Sequence, residues 1–228
     1  MRHGMFFAFE GIDGSGLTTQ ASLLKEWFEK QGFATFLTKE PTGGPIGSQI
    51  RLVLSKRLSM EPTALALAFA ADRMDHLHTD ILPKVEKGVV VISDRYYLSS
   101  YAYQAFDADL KWLMQINSKC LKPHMVFLLD VPALICKKRM ERMRWHVELF
   151  EETEKLENVR KNFHSLAEEL RDDQNIRIID GNRPLMEVHR DVRASVTQAM
   201  KTTNEDRLLT TDISDKEMSR ITDFLGRK

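Results

Sequence analysis

A glycine-rich segment close to the N-terminus has residue types and a spacing that suit a phosphate chain. Residues 11–18, GIDGSGLT, follow the pattern G-x-x-x-x-G-K-[ST] at every fixed position except one, where Leu17 replaces lysine. Glycines let successive backbone N–H groups turn inward around phosphate oxygens, and the N-terminus of a following helix adds positive potential. Thr18 still offers a hydroxyl group to Mg²⁺. The segment predicts a phosphate-binding loop, and a strand-to-helix turn without a ligand is the simpler alternative.

Leu17 removes the positive charge with which such a loop normally neutralises the β- and γ-phosphates of a nucleotide. Three explanations stay open. The lysine was lost by engineering or sequence variation, another cation such as Lys39 or an arginine replaces it, or the chain binds a nucleotide without catalysis. Loss of a transition-state cation costs about 10³ to 10⁵ in the rate of phosphoryl transfer. We therefore expect slow transfer unless another cation takes over.

A second group of polar and aromatic residues follows the apolar run at residues 89–93. It is the segment 94–104, DRYYLSSYAYQ. Open α/β sheets bind ligands at the carboxyl ends of their strands, which is where this segment begins. Taken separately, these residues have simpler structural explanations. Asp94 and Arg95 could form a salt bridge at a strand end, and Tyr103 could be an aromatic residue of the core. Their occurrence beside a phosphate loop favours a site for a second anionic substrate facing the first.

The elements that must position these residues alternate along the chain. Short apolar runs predict strands at residues 5–9, 33–38, 89–93, 125–129 and 176–179. Helical spacing predicts helices at residues 18–30, from about 46, 62–82, 137–171 and 185–199. Alternating strands and helices indicate an α/β fold with a central parallel sheet wrapped by helices.

Composition bounds the compartment and the partners. The chain has 228 residues, with 33 lysines and arginines balanced by 33 aspartates and glutamates, so no net field favours a nucleic acid polymer or an anionic membrane. Cys120 and Cys136 have neither a metal-ligand spacing nor a dense disulfide pattern, which suits a reducing, cytoplasmic environment. We expect neither a membrane span nor a signal peptide.

The last part of the chain, residues 201–228, is predicted to be a charged extension of a domain at residues 1–200. Residues 214–217, SDKE, have the spacing of a capping box ahead of Met218, Ile221 and Leu225. A short amphipathic helix and a solvated tail are both open, because isolated short helices are marginal in water.

Five short segments form a pattern that extends from about Met5 to about Val196. They are FEGIDG at 9–14, TKEP at 38–41, FAADR at 69–73, DRYYLSSYAYQ at 94–104 and LDVP at 129–132. In this order and at these separations they resemble the thymidylate kinases, P-loop nucleoside-monophosphate kinases. The resemblance implies a three-layer α/β/α P-loop NTPase-like fold, ATP-dependent phosphorylation of dTMP to dTDP, and a homodimer. The chain departs from the family pattern after Pro41, where Thr-Gly-Gly replaces Gly-Gly-Thr.

The resemblance implies a donor site for ATP and Mg²⁺ on the glycine-rich loop. Thr18 and Asp94 correspond to the residues near the metal, and Arg139 to a position that packs on adenine. The residues assigned to ATP are Gly11, Ile12, Asp13, Gly14, Ser15, Gly16, Leu17, Thr18, Thr19, Arg139 and Asp180. A mobile lid is expected at about residues 137–152, where Arg142 or Arg144 approaches the transferring phosphoryl group. A solvated helix face is the alternative for that basic run.

The resemblance also implies an acceptor site for dTMP. Phe69 corresponds to the ring that stacks on thymine, Arg51 and Arg95 to the arginines that hold the acceptor phosphate, and Tyr103 to the ring that disfavours ribonucleotides. The residues assigned to dTMP are Asp13, Glu40, Pro41, Arg51, Phe69, Arg73, Arg95, Ser99, Ser100, Tyr103 and Gln104. Those assigned to catalysis are Asp94, Arg95, Arg142 and Arg144. The alternatives are a nucleotide-binding protein with little or no kinase activity and a kinase for another nucleoside monophosphate.

Overall fold

A sheet of five parallel strands occupies the centre of the protein, in the order β2-β3-β1-β4-β5. The structure, a computed structural model, describes residues 4–143 and 152–208. The strands are β1 Met5–Glu10, β2 Thr35–Lys39, β3 Val90–Asp94, β4 Met125–Asp130 and β5 Ile176–Asp180. The central strands are buried along nearly their whole length. This explains why they read in the sequence as continuous apolar runs and not as alternating ones.

Helices in the described ranges connect the strands and cover both faces of the sheet. They are α1 Leu17–Lys30, α2 Pro45–Leu54, α3 Pro62–His76, α4 Leu82–Glu86, α5 Tyr97–Gln104, α6 Leu110–Ile116, α7 Ala133–Met143, α8 Glu152–Glu169 and α9 Leu185–Leu208. Every strand pair is parallel, so each connection runs from the edge where one strand ends back to the opposite edge, where the next strand begins. The carboxyl ends of the strands therefore meet at one edge.

Two apolar clusters lie on opposite faces of the sheet, because successive side chains of a strand point to opposite sides. Phe7 and Phe9 pack with residues of α1 and α9, a group that we call the α1 cluster. Phe6 and Ala8 pack with residues of α3, α5 and α8, which we call the α5 cluster. Sheet and helices thus form three layers, and the predicted α/β/α fold with a parallel central sheet is confirmed.

The helix predicted over residues 62–82 is interrupted. Helix α3 ends at His76, a π-helical turn covers Leu77–Ile81, and α4 begins at Leu82. Pro83 explains the break, because proline has no backbone N–H and its ring clashes with the carbonyl four residues earlier. The helix predicted over residues 137–171 is present as α7 and α8, and residues 144–151 lie outside the described ranges.

The last helix continues beyond the range that the sequence predicted. Helix α9 runs through Leu208, past residue 199, while the capping-box segment at residues 214–217 lies outside the part of the chain that the structure describes. In the described ranges, none of the helices combines the length and the apolar character needed to cross a bilayer. Cys120 and Cys136 are both free thiols.

Candidate active site

The glycine-rich loop connects the carboxyl end of β1 to the first turn of α1. Gly14 and Gly16 have φ angles of 83° and 103°, a conformation that side chains other than glycine rarely adopt. A Cβ atom at Gly14 would lie 2.7 Å from the carbonyl oxygen of Cys136, so this position also needs glycine for space. No side chain caps α1, which leaves the first N–H groups of the helix for an anion. The hydroxyl of Ser15 is buried and has no hydrogen-bond partner in the described structure.

Leu17 occupies the place of the expected lysine and packs into the protein interior. Its side chain is 5% exposed and belongs to the α1 cluster, together with Phe7, Phe9 and Leu129. A Cβ atom added to Gly11 would lie 3.5 Å from Cδ2 of Leu17, in ordinary contact. A lysine directed the same way would bury its ammonium group among apolar side chains, which is costly. The leucine therefore fits the core beneath the loop.

Thr18 and Asp94 bring two oxygen-bearing side chains together at the start of α1. The hydroxyl of Thr18 donates to Oδ2 of Asp94 over 2.5 Å, and Asp94, at the end of β3, is 8% exposed. A hydroxyl and a carboxylate oxygen are ligands of the kind that Mg²⁺ takes, and Mg²⁺ usually keeps several waters as well. The two side chains fit a magnesium ion at the phosphate loop.

Asp130, at the end of β4, has a different environment from Asp94. Arg160 donates to both of its carboxylate oxygens, at 2.6 and 3.0 Å, and Nε2 of His164 lies 2.9 Å from Oδ1. Burial opposes ionisation of Asp130, but the bonds from Arg160 and His164 outweigh it and lower its pKa. This carboxylate joins β4 to α8 through an ion pair.

Arg95 reaches from the end of β3 back to the glycine-rich loop. Its Nη1 donates to the carbonyl of Gly11 over 2.8 Å and to the hydroxyl of Ser99 over 3.0 Å. Its Nη2 donates to Oδ1 of Asp13 over 2.6 Å. Burial works to lower the pKa of Arg95, but Tyr103 and Asp13 outweigh it and raise the pKa, so the guanidinium stays charged. The backbone of Arg95 has φ 74°, a left-handed conformation that costs energy in a residue other than glycine.

Tyr103, on α5, contacts both Asp13 of the glycine-rich loop and Arg95. Its hydroxyl accepts from the backbone N–H of Asp13 over 3.1 Å, and its ring centroid lies 5.5 Å from Cζ of Arg95. Burial raises the pKa of Tyr103, so the phenol keeps its proton. The loop, Arg95 and Tyr103 therefore form one connected group, although 90 residues separate Asp13 from Tyr103 in the chain.

Glu10 supports this group and was not among the residues predicted from the sequence. It accepts from the backbone N–H of Tyr96 over 2.9 Å and from the hydroxyl of Ser99 over 2.5 Å. Burial raises the pKa of Glu10 to about 7, against the opposing effects of Ser99 and Arg95. The signal in the sequence was an acid directly after an apolar strand, the same placement as Asp94. Glu10 positions Ser99, which in turn accepts from Arg95.

Arg73 lies at the centre of a buried polar network between α3 and α5. Its side chain is 1% exposed and donates from Nε to Oε2 of Glu40 over 2.7 Å, from Nη1 to Asn117 over 2.6 Å and from Nη2 to Ser100 over 3.0 Å. His76 bonds the other oxygen of Glu40 at 3.0 Å. Asn117 was not predicted, since nothing in its local sequence marks it. Charged groups buried in this way are stable because they are paired and hydrogen-bonded.

The other residues assigned to the acceptor side surround this network. Phe69 lies one helical turn before Arg73 on the same face of α3 and is partly buried. Oε1 of Gln104, on α5, is buried without a hydrogen-bond partner in the described structure. Arg51, on α2, donates to the carbonyls of Pro41 and Thr42 and to the hydroxyl of Ser48.

The loop after β2 is held by Asp72, which the sequence did not single out. Oδ2 of Asp72 accepts from the backbone N–H of Thr42 over 2.8 Å, and Oδ1 accepts from its hydroxyl over 2.6 Å. The Thr-Gly-Gly order that departs from the expected pattern therefore has a structural use here. Through the carbonyl of Thr42, this contact also fixes Arg51.

Arg139 connects the glycine-rich loop to the end of β5. Its guanidinium donates to the carbonyl of Ser15 over 3.4 Å and to the carbonyl of Gly181 over 3.1 Å. Asp180 is exposed beside it and accepts from the backbone N–H of Asn182. Arg142 is exposed at the end of α7, whereas Arg144 and the rest of the predicted lid as far as residue 151 lie outside the described residues.

Comparison with known proteins identifies the family that this arrangement belongs to. The family model for thymidylate kinase matches residues 9–192 of the chain. The chain belongs to the thymidylate kinase family. That range contains the glycine-rich loop, the Thr18–Asp94 pair, Arg95 and the Arg73 network.

Several proteins described as probable thymidylate kinases are similar to this chain over nearly their whole length. A probable thymidylate kinase of Pyrococcus abyssi is 46% identical over 202 residues, covering 85% of this chain and 96% of the relative. One of Thermococcus gammatolerans is 43% identical over 206 residues, covering 86% and 97%. One of Pyrobaculum calidifontis is 37% identical over 197 residues, covering 86% and 97%. The predicted family is therefore confirmed, and with it the assignment of the chain to the phosphotransferases.

Proposed function

We propose that this protein transfers the γ-phosphoryl group of ATP to dTMP, which yields ADP and dTDP. A phosphate oxygen of dTMP attacks the γ-phosphorus, and the bond to the oxygen that bridges the β- and γ-phosphates breaks. The observation that best supports this function is the reach of Arg95, which is assigned to the acceptor phosphate, back to Gly11 and Asp13 of the donor loop. Membership of the thymidylate kinase family supports the identity of the two substrates.

On the donor side, the first N–H groups of α1 and the unpartnered hydroxyl of Ser15 receive the phosphates of ATP. Arg139 lies between the loop and Gly181, where it packs against the adenine ring. Thr18 and Asp94 would hold Mg²⁺, which offsets phosphate charge when it is bound. The chain's own work is to align the donor with the acceptor.

On the acceptor side, Arg51 and Arg95 hold the phosphate of dTMP. The first is fixed by the loop after β2 and the second by the end of β3, and these two strands are neighbours in the sheet. Phe69 stacks on thymine, and Arg73, Ser100 and Gln104 face the edge of the base. Glu40 fixes the guanidinium of Arg73, so little side-chain entropy is lost when the base binds. Tyr103 crowds the 2′-position and disfavours ribonucleotides.

We propose further that phosphate transfer is slower than in relatives with an intact loop lysine, because Leu17 contributes apolar packing and no charge. The packing of Leu17 also favours the alternative function, a protein that binds both nucleotides with little turnover. The two functions differ in turnover and not in affinity.

One experiment separates these functions. The full chain is incubated with ATP, Mg²⁺ and either dTMP, dUMP, dCMP or dGMP, and nucleoside diphosphates are quantified by chromatography, with calorimetric titrations of ATP and dTMP in parallel. We expect dTDP as the main product. The single methyl group that distinguishes dTMP from dUMP gives at most about 10- to 200-fold preference. Binding of both nucleotides without product supports the alternative, and faster turnover of another acceptor shows a kinase of different specificity.

A homodimer in the cytoplasm completes the proposal. The exposed leucines Leu52 and Leu54 of α2 and Leu67 of α3, which are 42%, 58% and 49% exposed, offer apolar surface for a second copy. The free thiols of Cys120 and Cys136 suit a reducing compartment. Sedimentation of the wild type against L54E tests the dimer, which the variant should weaken, and fractionation of the source cells tests the compartment.

A further inference from the structure

We propose that Lys39 supplies the positive charge that the phosphate loop lacks, and that its ammonium group contacts the β- and γ-phosphates of the bound nucleotide. This inference rests on the proposed function and adds a catalytic residue to it. It starts from Leu17, whose side chain lies in the α1 cluster and leaves the loop without its own cation.

The register of the sheet places Lys39 at the carboxyl edge, beside the residues assigned to the metal. Lys39 is the last residue of β2 and is paired with Asp94, the last residue of β3. Asp94 bonds the hydroxyl of Thr18 in the first turn of α1. Residues in register on neighbouring parallel strands point to the same face of a sheet. Lys39 and Asp94 therefore lie on one face.

That face is the one covered by α1, as three further contacts of β2 establish. Leu37, two residues before Lys39, packs against the α1 cluster. The hydroxyl of Thr35, four residues before Lys39, bonds Glu29 of α1 at 3.1 Å. Thr38, which points the other way, bonds His76 of α3 at 2.7 Å. The alternation along β2 thus directs Lys39 toward the helix whose first turn receives the phosphates.

Three arginines around the loop already donate hydrogen bonds to protein oxygens, whereas the ammonium group of Lys39 does not. Arg95, Arg51 and Arg139 donate to protein oxygens. The side chain of Lys39 is exposed, and its ammonium group makes no hydrogen bond or ion pair within residues 4–143 and 152–208. A solvated ammonium group can move to a phosphate without breaking an existing contact.

The distance suits a lysine side chain and a phosphate chain together. Strand β3 separates β2 from β1, so the main chain of Lys39 lies two strand spacings, about 10 Å, from the strand that leads into the loop. A flexible four-carbon stem with three donors on its ammonium group, extended toward α1, narrows this gap. The β- and γ-phosphates of a nucleotide bound at the start of α1 would span the remaining distance.

A double-mutant cycle tests the role of Lys39. The four proteins are the wild type, K39M, L17K and L17K/K39M, and the measurements are kcat, KM for ATP and the Kd of ATP and ADP. We expect K39M to lower kcat about 10²-fold in the wild-type background and to weaken ATP more than ADP. In the L17K background we expect K39M to change kcat by about threefold or less, because the loop then has its own cation.

Two control variants separate this role from general effects of charge. K87M removes an exposed lysine from the end of α4, at the opposite edge of the sheet, and should leave kcat within about twofold of the wild type. R142M, made in the wild-type and in the L17K backgrounds, removes the exposed arginine of α7 and tests whether Arg142 is the replacing cation instead. The inference is wrong if K39M costs the same in both backgrounds, if it leaves kcat and ATP affinity unchanged, or if R142M alone shows the background-dependent loss.

The outcome for Lys39 is distinguishable from the outcome for the proposed function. If no variant forms dTDP, the kinase function fails, while the relative affinities for ATP and ADP still report on Lys39. Weaker ATP binding in K39M that L17K restores supports the inference in that case. Identical affinities in all four proteins overturn it.

Discussion

The hydroxyl of Thr18 donates to the carboxylate of Asp94, with 2.5 Å between Oγ1 and Oδ2. These residues come from the first turn of α1 and the last position of β3, 76 residues apart in the chain. The bond joins the two elements at the point where the phosphate loop ends. It also brings the two oxygen ligands of the proposed magnesium site next to each other.

Replacing Asp94 by asparagine should lower kcat with ATP and Mg²⁺ by about 10² to 10³, because the carboxylate charge that attracts the metal is lost. Steady-state kinetics over a range of Mg²⁺ concentrations measures this. D130N is the matched control, since Asp130 ends β4 and is engaged by Arg160. It should lower the melting temperature and leave kcat within about threefold. Equal losses of kcat in the two variants would contradict the assignment of the metal to Asp94.

Replacing Leu17 by lysine should raise kcat by about 10-fold, because a cation held in the loop stabilises the charge of the transferring group better than the more distant Lys39 does. The same change should lower the free energy of unfolding by about 1 to 3 kcal/mol, since a 5% exposed leucine leaves the α1 cluster. L17M, which keeps the volume and the apolar character, is the control and should change neither quantity strongly. An unchanged kcat in L17K would show that Leu17 does not limit catalysis.

Tyr103 offers a test of sugar specificity in two steps. Y103F keeps the ring and loses the bond from the N–H of Asp13, so the preference for dTMP over its ribonucleotide counterpart should persist. Y103A removes the ring and should reduce that preference by about 10-fold or more. The ratio of kcat/KM values for the two acceptors is the measurement. A ratio that stays constant in Y103A would place the selection of the sugar elsewhere.

Glu10 should make stability fall as pH rises. Its pKa is raised to about 7 in the folded protein from an ordinary value near 4.5, so its stabilising contribution is complete below pH 4.5 and is lost as pH rises through 7. Between pH 5 and pH 8 the wild type should therefore lose roughly 2 to 3 kcal/mol of unfolding free energy relative to E10Q. Urea unfolding of both proteins at several pH values measures this difference.

Glu61, the exposed N-cap of α3, is the control for this pH dependence. The backbone N–H groups of Thr63 and Ala64 lower its pKa, so its contribution is present at high pH and is lost as pH falls. The difference in unfolding free energy between wild type and E61Q, wild type minus variant, should therefore not grow as pH falls from 8 to 5. The difference between wild type and E10Q should grow over the same range. If wild type and E10Q respond to pH in the same way, Glu10 is ionised in the folded protein at neutral pH.

Much of the fold could be predicted because its signals are local. The run at residues 5–9 is apolar without interruption, since β1 is buried on both faces, and Gly11 follows directly after Glu10 because the loop needs positive φ angles. The break at residues 77–81 was missed, since the helix formers on either side of it conceal the effect of Pro83. Helix α5 was missed because its residues were interpreted for their chemistry and not for their spacing.

The site was predictable as a set of residues and not as a set of contacts. The sequence by itself determined that a glycine-rich loop without its lysine lies between a buried strand and a helix, with an acid and an arginine after a later strand. Only the tertiary structure decided that Leu17 packs in the core, that Glu10 positions Ser99, and that Arg95 bonds Gly11. The physical reason is that Gly11 and Arg95 are 84 residues apart, and a contact made through the sheet leaves no periodicity in the chain that connects them.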